Sequence, residues 1–176
     1  QLSEAYRKIR NTARFILGNL GNGSGFDPDT EMVALDKLSD IDKWALTRLD
    51  AVIEKVKASY ESFDFYLAYH AIHSFCVVDM SNFYLDVVKD TLYCSAEKSE
   101  ERKAVQTTMY IILDSLVKLI APILTFTSDE IWKYMPHKST DDLRSVPFNQ
   151  MPEKTGVVLG AEFEAKWNKI HAVRDD

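Results

Sequence analysis

The chain has 176 residues, the length of one domain with a single sizeable core. Apolar residues make up 46% of it and charged residues 27%, a composition that excludes a disordered chain. The net charge of −6 excludes a general binder of polyanions, yet residues 1–18 carry a net +3 and the remainder −9. A small basic site on an acidic body predicts a local anionic target.

The sequence predicts neither a membrane protein nor a secreted one. Its apolar runs are only a few residues long, whereas a membrane span needs roughly 18 residues. No basic stretch leads into an apolar segment at the start, so no secretory signal is expected. The two cysteines, Cys76 and Cys94, are too few for a disulfide framework. Free thiols and a cytoplasmic location are therefore expected.

The placement of glycine and proline predicts an all-α fold. Four of the six glycines fall within residues 18–25, and residues 30–121 contain neither glycine nor proline. A β-sandwich needs turn residues at short intervals, whereas long helices do not. The first helix is predicted over Leu2–Leu17 with Gly18 at its end, and the second from an N-cap at Ser39 or Asp40.

The third predicted helix begins near Asp64 and continues to about Tyr93. Its apolar side chains recur every three or four residues, which predicts one buried stripe: Phe65, Tyr69, Ile72, Cys76, Met80, Phe83 and Val87. Other apolar residues lie off this stripe. The pattern therefore predicts a central helix that is packed by several neighbours.

Shorter elements are predicted for the rest of the chain. A charged connector over 97–103 precedes a fourth helix, which ends or kinks at Pro122. The run Thr127–Glu130 matches a capping box ahead of a short helix, Ile131–Met135. Three prolines and the lack of a helical period between residues 136 and 160 predict an extended strap.

Together these elements predict a bundle of four to five main helices with an extended C-terminal strap and a final helix. The predicted division is a helical bundle over 1–136, a strap or linker over 137–160, and the start of a C-terminal helical segment over 161–176. The helical patterns at both ends are cut short. The chain is therefore expected to be a domain excised from a larger protein.

The first helix has two faces of opposite character. Its polar face spans an arc of about 100° and holds Arg7, Arg10, Asn11 and Arg14, while its apolar residues centre almost opposite. Guanidinium groups bind phosphates and base edges, and an amide also binds a base edge. A solvated face is the alternative, but such stripes usually mix charges and this one has no acidic partner four residues on. The single sign of charge strengthens the case for nucleic acid, and the solvated face stays open as the alternative.

Two further residues lie at the end of the long third helix. Lys89 offers a cation and Tyr93 a ring on which a base can stack. The alternative is that Tyr93 simply packs and Lys89 is solvated. The sequence leaves both interpretations open.

Catalytic and metal-binding motifs are not found in the sequence. His70, His73 and Cys76 have a helical spacing, but Cys76 belongs to the apolar stripe and no fourth ligand has a recognisable spacing. There is no phosphate-binding loop, dinucleotide fingerprint or nucleophile elbow. We therefore expect no catalytic residue and no metal ligand in this chain.

Three strings carry a resemblance to a known family. They are YRKIRNTARF at 6–15, FCVVDMSNFYLDVVKDTLYC at 75–94 and APILTFTSDEIW at 121–132. In this order and at these separations the chain resembles, over nearly its full length, the anticodon-binding helical domain of bacterial-type isoleucyl-tRNA synthetases. Valyl and leucyl relatives share the architecture and the third string but not the first two.

The resemblance implies a class I synthetase in which a Rossmann catalytic domain precedes this segment of the same chain. That parent uses ATP with Mg, and many relatives carry zinc in a C-terminal region that is absent here; no cofactor is expected in the fragment itself. In relatives such as the methionyl enzyme, an Asn-x-x-x-Arg pair contacts the anticodon, and the matching positions here hold Arg10 and Arg14. The end of the long helix lies near the anticodon in this family, which adds Asp90 to Lys89 and Tyr93.

The expected function is thus recognition of the anticodon stem-loop of isoleucine tRNA, with no DNA and no membrane as partner. Unpaired bases would stack on tyrosine or arginine planes, and phosphate contacts would set the register. Two alternatives are a protein-interaction scaffold with a basic stripe and a small-molecule or metal-binding bundle enzyme.

Overall fold

The computed structural model describes residues 2–21 and 25–160, together with residues 163, 165 and 167. Within these residues the regular structure is helical, as predicted. The α-helices are α1 (Leu2–Leu20), α2 (Asp40–Glu61), α3 (Phe65–Ser74), α4 (Leu85–Val87), α5 (Lys89–Cys94), α6 (Glu100–Ile120) and α7 (Thr125–Tyr134). A π-helix over Phe75–Tyr84 joins α3 to α4, and two short 3₁₀ turns cover Leu35–Lys37 and Val146–Phe148.

Helix α1 is longer than predicted. It continues through Gly18 to Leu20, because Leu20 is only 2% exposed and its burial outweighs the low helix propensity of glycine. At Gly21, just after α1, the backbone comes close to the end of α7: an added Cβ would lie 3.2 Å from the carbonyl oxygen of Tyr134. A glycine there lets the end of α1 reach the end of α7.

The N-cap prediction for α2 is confirmed. Ser39 lies just before the helix, and its side chain accepts a hydrogen bond from the amide of Asp42. The capping-box prediction for α7 is wrong. That helix begins earlier, with no side-chain cap at Leu124, and the amide of Ser128 donates to the Leu124 carbonyl oxygen at 2.9 Å. The Thr127 hydroxyl lies 3.2 Å from the Tyr6 hydroxyl, so it links α7 to α1.

The predicted apolar stripe of the third helix is wrong at both ends. Phe65 is 48% exposed and Val87 is 43% exposed, whereas Tyr84, Leu85 and Val88 are buried. A π-helix has more residues per turn than an α-helix, so the segment Phe75–Tyr84 rotates everything after it relative to an α-helical pattern. Phe65 is the first residue of α3, at the end of the bundle, where its ring packs only partly, 5.7 Å from the Tyr60 ring.

The central helix is α6. Fourteen of its 21 residues are buried, and it packs against α1, α2, α3, α5 and α7. The run from α3 to the π-helix is packed by several neighbours, as predicted, since it contacts α1, α2 and α6; the helix with the most neighbours is nevertheless α6 and not the third predicted helix. Buried polar residues of α6 connect it to its neighbours: the side-chain amide of Gln106 donates to the Asn19 carbonyl oxygen at 2.9 Å.

The bundle has two ends. At the first, which we name the entry end, α1, α3 and α7 begin while α2 and α6 finish. Three contacts define it: Tyr6 with Thr127, the Tyr60 hydroxyl donating to the Leu119 carbonyl oxygen at 2.6 Å, and the Tyr60 and Phe65 rings 5.7 Å apart. The other, named the far end, lies roughly 30 Å away along α6.

The region after α7 contains one described 3₁₀ turn, further turns at 139–140 and 143–144, and no regular secondary structure over 150–160. It is tied to the bundle by side chains, since Asp50 of α2 accepts hydrogen bonds from the amides of Thr155 and Gly156. The predicted final helical segment over 161–176 lies mostly outside the described residues. Of it, Trp167 contacts the Trp44 ring at 6.1 Å and the Phe83 ring at 5.3 Å.

Candidate nucleic-acid interface

The inner face of α1 is fixed by burial. Ile9, Ala13, Ile16 and Leu20 are between 0% and 5% exposed, at steps of three and four residues. Thr12 is also buried, and its hydroxyl lies 3.0 Å from the Ser81 hydroxyl and 3.3 Å from the Cys76 carbonyl oxygen. These contacts lock α1 in register against the π-helix.

The outer face of α1 carries the predicted residues. Arg7, Arg10, Asn11 and Arg14 are all exposed. Within the described part of the chain none of the three guanidinium groups pairs with a carboxylate. By contrast, Arg48 donates from Nε to Asp79 at 2.9 Å and Arg144 pairs with Asp142 at 2.6 Å. The α1 arginines therefore keep their donors available for an external anion.

Arg14 borders a shallow depression that also holds Tyr93. The depression measures about 400 Å³ and is lined by Asn11, Arg14, Phe15, Gly18, Asn19 and Tyr93. The Tyr93 side chain is 66% exposed, so its ring is available for stacking. Gly18 has open space around its Cα, and its lack of a side chain keeps the floor of the depression clear. The structure thus brings together three of the predicted residues: Asn11, Arg14 and Tyr93.

Tyr93 is held in place by its neighbour. Leu92 is 1% exposed and anchors α5 in the core, so the next residue along the short helix points outward. The amide of Leu92 donates to the Val88 carbonyl oxygen at 3.0 Å, which continues the helical run across the break at Val88. The position of the tyrosine ring therefore depends on one buried leucine and on the preceding π-helix.

Lys89 and Asp90 are not brought into this depression. Both are exposed, and neither lines it. The Lys89 ammonium donates to the Asp86 carboxylate at 2.9 Å, and both side chains are about half exposed. Such an exposed pair contributes little to stability. The two residues lie in the first turn of α5.

A second depression, of about 230 Å³, lies on the other side of Arg14. It is formed between α1 and α7 and lined by Arg10, Ala13, Arg14, Leu17, Thr127, Glu130, Ile131 and Tyr134. Tyr134 is 62% exposed. The sequence reasoning missed Tyr134, because its approach to the arginines depends on the packing of α7 beside α1. The one signal in the sequence was that Tyr134 is an aromatic residue two positions before Pro136, where a helix is expected to end.

Known proteins resemble this chain over its whole length. Residues 42–175 match the model of a family described as the anticodon-binding domain of tRNA ligase. The chain is also 49% identical over 176 residues to an isoleucine–tRNA ligase of Caldanaerobacter subterraneus subsp. tengcongensis and 50% identical over 176 residues to one of Desulforamulus reducens. A third, from Natranaerobius thermophilus, is 51% identical over 167 residues, 95% of this chain.

This chain belongs to the anticodon-binding domains of tRNA ligases. The first two relatives align over 100% of the chain, which corresponds to 19% and 18% of their own length. The chain therefore spans about a fifth of the proteins that it matches. The family match begins after α1, at residue 42, so it includes Tyr93 and leaves out the arginine face; the isoleucine–tRNA ligases align with both.

Three groups that the sequence singled out as possible metal ligands, on His70, His73 and Cys76, lie among aromatic rings or in the core. The rings of His70 and Tyr66 are 6.0 Å apart, and those of His73 and Tyr69 are 6.3 Å apart. Burial raises the pKa of the Cys76 thiol to about 12, so it stays protonated and inert. Among the described residues there is no cluster of three metal-ligating side chains, and no helix long and apolar enough to cross a membrane.

Proposed function

We propose that this domain recognises the anticodon stem-loop of isoleucine tRNA as part of an isoleucine–tRNA ligase. The observation that carries the proposal is the unpaired guanidinium face of α1 with an exposed tyrosine ring beside Arg14. Isoleucine is named because the relatives, aligned over the whole chain, are isoleucine–tRNA ligases. The longer protein would work in the cytoplasm, where translation takes place.

The chemistry of an anticodon loop fits this surface. Loop bases are unpaired and can turn outward, and each has a planar face that stacks on an aromatic ring. In the depression beside Arg14, a base would stack on Tyr93 while Asn11 and Arg14 donate to its edge. The amide can also accept a hydrogen bond, whereas the guanidinium only donates. This pairing of groups discriminates between bases by their pattern of donors and acceptors.

The remaining residues of the face would bind the backbone of the stem-loop. Arg7 and Arg10 are exposed on the same side of α1, about two turns and one turn before Arg14 respectively, and would pair with phosphates. Lys89 would exchange Asp86 for a phosphate, and Asp90 would accept from a base or a 2′-hydroxyl group. Tyr134, on the far side of Arg14, offers a second stacking ring.

In this proposal the domain performs no catalysis. Activation of isoleucine with ATP and Mg²⁺ would take place in a catalytic domain of the same longer chain, and zinc, where present, in a further C-terminal region. The domain would supply binding free energy and orientation, so that the acceptor end of the tRNA reaches the distant reaction centre.

Arg14→Ala in the full-length protein tests the proposal. Cognate tRNA binding and aminoacylation should weaken by about 1–3 kcal/mol, because a guanidinium that contacts a base edge is lost. Isoleucine-dependent pyrophosphate exchange should be unchanged, since it does not need the anticodon. Lys55→Ala, which removes an exposed cation from α2, is the control for charge alone. Binding should be measured at one fixed salt concentration.

Two outcomes would contradict the proposal. Arg14→Ala and Lys55→Ala could weaken tRNA binding equally, which would mean that only overall charge matters. Alternatively, the protein could fail to distinguish cognate from non-cognate tRNA. It could bind both equally well, or it could bind neither, as a protein-interaction scaffold would.

A further inference from the structure

The segment Phe75–Tyr84 is the least ordinary element of the bundle. It forms a π-helix of ten residues between α3 and α4, so it determines the direction in which the chain enters α5. π-helices are rare, mostly a single turn long and frequent at functional sites, whereas the α-helix is the common conformation. A π-helix of this length is therefore expected to need tertiary contacts that favour it over an α-helix.

Two side chains of the π-helix connect it to α2. The Asp79 carboxylate accepts a hydrogen bond from Nε of Arg48 at 2.9 Å, and the Tyr84 hydroxyl donates to the Asp42 carboxylate at 2.6 Å. Asp79, Asp42 and Tyr84 are all buried, so these polar contacts are made away from solvent. They bind the π-helix to α2 and not to α1, the helix that carries Arg14.

Thr12 makes the polar contact between the π-helix and α1. Its side chain is buried, and its hydroxyl oxygen lies 3.0 Å from the Ser81 hydroxyl and 3.3 Å from the Cys76 carbonyl oxygen, as well as 3.1 Å from the Lys8 carbonyl oxygen of its own helix. A hydroxyl group donates one hydrogen bond and can accept others. Ser81 can therefore donate to Thr12 while Thr12 donates to a carbonyl oxygen.

The two contacts that Thr12 makes with the π-helix depend on its conformation. Cys76 and Ser81 are five residues apart, which is the spacing that backbone hydrogen bonds bridge in a π-helix. In an α-helix, positions five apart lie about 140° from each other around the axis, so a single hydroxyl group would not face both. The Thr12 hydroxyl therefore favours the π-helix over an α-helix in this segment.

The conformation of this segment is passed on to Tyr93. The amide of Val88 donates to the Tyr84 carbonyl oxygen at 3.1 Å, and the amide of Leu92 donates to the Val88 carbonyl oxygen at 3.0 Å. Val88 and Leu92 are both buried, so the helical run is fixed against the core up to the residue before Tyr93. The Tyr93 ring then lines the depression beside Arg14.

We infer that Thr12 is a positioning residue for the stem-loop site: its hydroxyl holds Phe75–Tyr84 in the π conformation and so keeps Tyr93 beside Arg14. The inference rests on the proposed function in that Tyr93 is the ring on which a base stacks. Thr12 is only 1% exposed, so it acts through the π-helix and does not touch the RNA. Without this hydroxyl the π-helix loses its polar contact with α1, and a change to an α-helix would turn α5 and move Tyr93 away from Arg14.

Photo-crosslinking in the full-length protein, without RNA, tests where residue 93 lies. The photoreactive residue p-benzoylphenylalanine replaces Tyr93, and the products are identified by mass spectrometry after digestion with trypsin. In the otherwise unaltered protein we expect crosslinks to the tryptic peptide over 15–37, which contains Phe15, Gly18 and Asn19 of the depression. Thr12→Val keeps the shape of the side chain and removes its hydroxyl. It should lower the yield of this product at least about threefold.

Two control variants separate the role of the hydroxyl from a general loss of stability. Thr12→Ser keeps the hydroxyl and loses a buried methyl group, and it should retain the crosslink. Thr107→Val removes another buried hydroxyl, one that accepts from the Val33 amide at 2.9 Å, and it should leave the yield unchanged. An undiminished yield in Thr12→Val, an equal loss in Thr107→Val, or no crosslink to the 15–37 peptide in the otherwise unaltered protein would each overturn the inference.

A double-mutant cycle on stem-loop binding gives the second test. Thr12→Val should weaken the affinity of the full-length protein for the anticodon stem-loop about fivefold, whereas in a Tyr93→Ala background it should have no further effect, because no ring is left to position. Thr12→Ser should bind as the unaltered protein does. Equal weakening by Thr12→Val in both backgrounds would mean that Thr12 acts on the bundle as a whole, and it would overturn the inference.

The crosslinking result can be separated from a failure of the proposed function, because that measurement contains no RNA. If Thr12→Val lowers the crosslink yield and Arg14→Ala has no effect on tRNA binding, Thr12 positions Tyr93 and the anticodon proposal is wrong. If Arg14→Ala weakens tRNA binding and Thr12→Val leaves the crosslink unchanged, the positioning inference alone is wrong.

Discussion

The entry end and the far end of this bundle expose aromatic rings in different chemical settings. At the far end Tyr93 lies beside Asn11 and Arg14, so a ring is combined with hydrogen-bond donors. At the entry end Phe63, Phe65 and Phe126 have no polar tip. A ring with donors beside it suits a nucleotide, whereas rings alone suit an apolar protein surface. The same helices thus present two kinds of exposed surface.

The largest expected effect comes from removing the anchor of α5. Leu92→Ala should lower the free energy of unfolding by about 2–5 kcal/mol, because Leu92 is 1% exposed and the substitution leaves a cavity. Leu67→Ala at the entry end should cost less than about 0.5 kcal/mol, since Leu67 is 44% exposed. Chemical denaturation measures both. Equal losses would show that the two leucines do not differ as their burial predicts.

The next effect concerns the ring of Tyr93. Tyr93→Ala should weaken binding of the isolated anticodon stem-loop by about 1–3 kcal/mol, because a base loses its stacking partner. Tyr93→Phe keeps the ring and should bind within about 0.5 kcal/mol of the unaltered protein. Tyr66→Ala, which removes a similarly exposed ring from the entry end, should leave this affinity unchanged. Equal weakening by Tyr66→Ala would remove the distinction between the two ends.

The smallest effect is a pH dependence of stability at the far end. Asp42 is fully buried, and burial raises the pKa of its carboxyl group despite hydrogen bonds from Ser39 and from the Tyr84 hydroxyl at 2.6 Å. The folded state therefore binds this proton more tightly than the unfolded chain does. Its contribution to stability is present below the unfolded pKa of about 3.9 and is lost as pH rises through the raised value.

Asp42→Asn should flatten that decline, measured as the free energy of unfolding between about pH 3.5 and pH 7, because the group whose proton uptake depends on folding is removed. Part of the slope should remain, because burial also raises the pKa of Asp114. Glu61→Gln, at an exposed site of the entry end, is the control and should leave the slope unchanged. A slope that is steeper in Asp42→Asn would mean that the hydrogen bonds outweigh burial.

The sequence predicted the features that depend on local periodicity. The two faces of α1 follow from residue spacing, and the Ser39 cap follows from residue type, so both are confirmed. The start of α7 and the exposure of Phe65 and Val87 were predicted wrongly, because they depend on long-range packing and on the π-helix. Tyr134 lies close to Arg14 because α7 packs beside α1, which is also a long-range contact that the sequence did not predict. Roles for the seven predicted interface residues stay predictions until tRNA binding is measured.

The number of residues in the π-helix determines which side chains of α5 lie next to α1 at the far end. Each residue added or removed within Phe75–Tyr84 would turn the following helix by about 100° relative to α1. Tyr93 would then leave the neighbourhood of Arg14 and another side chain of α5 would take its place, although α1 itself was untouched. A family built on this bundle can therefore acquire a new partner for Arg14 through a single-residue insertion or deletion, without any substitution at the contact surface.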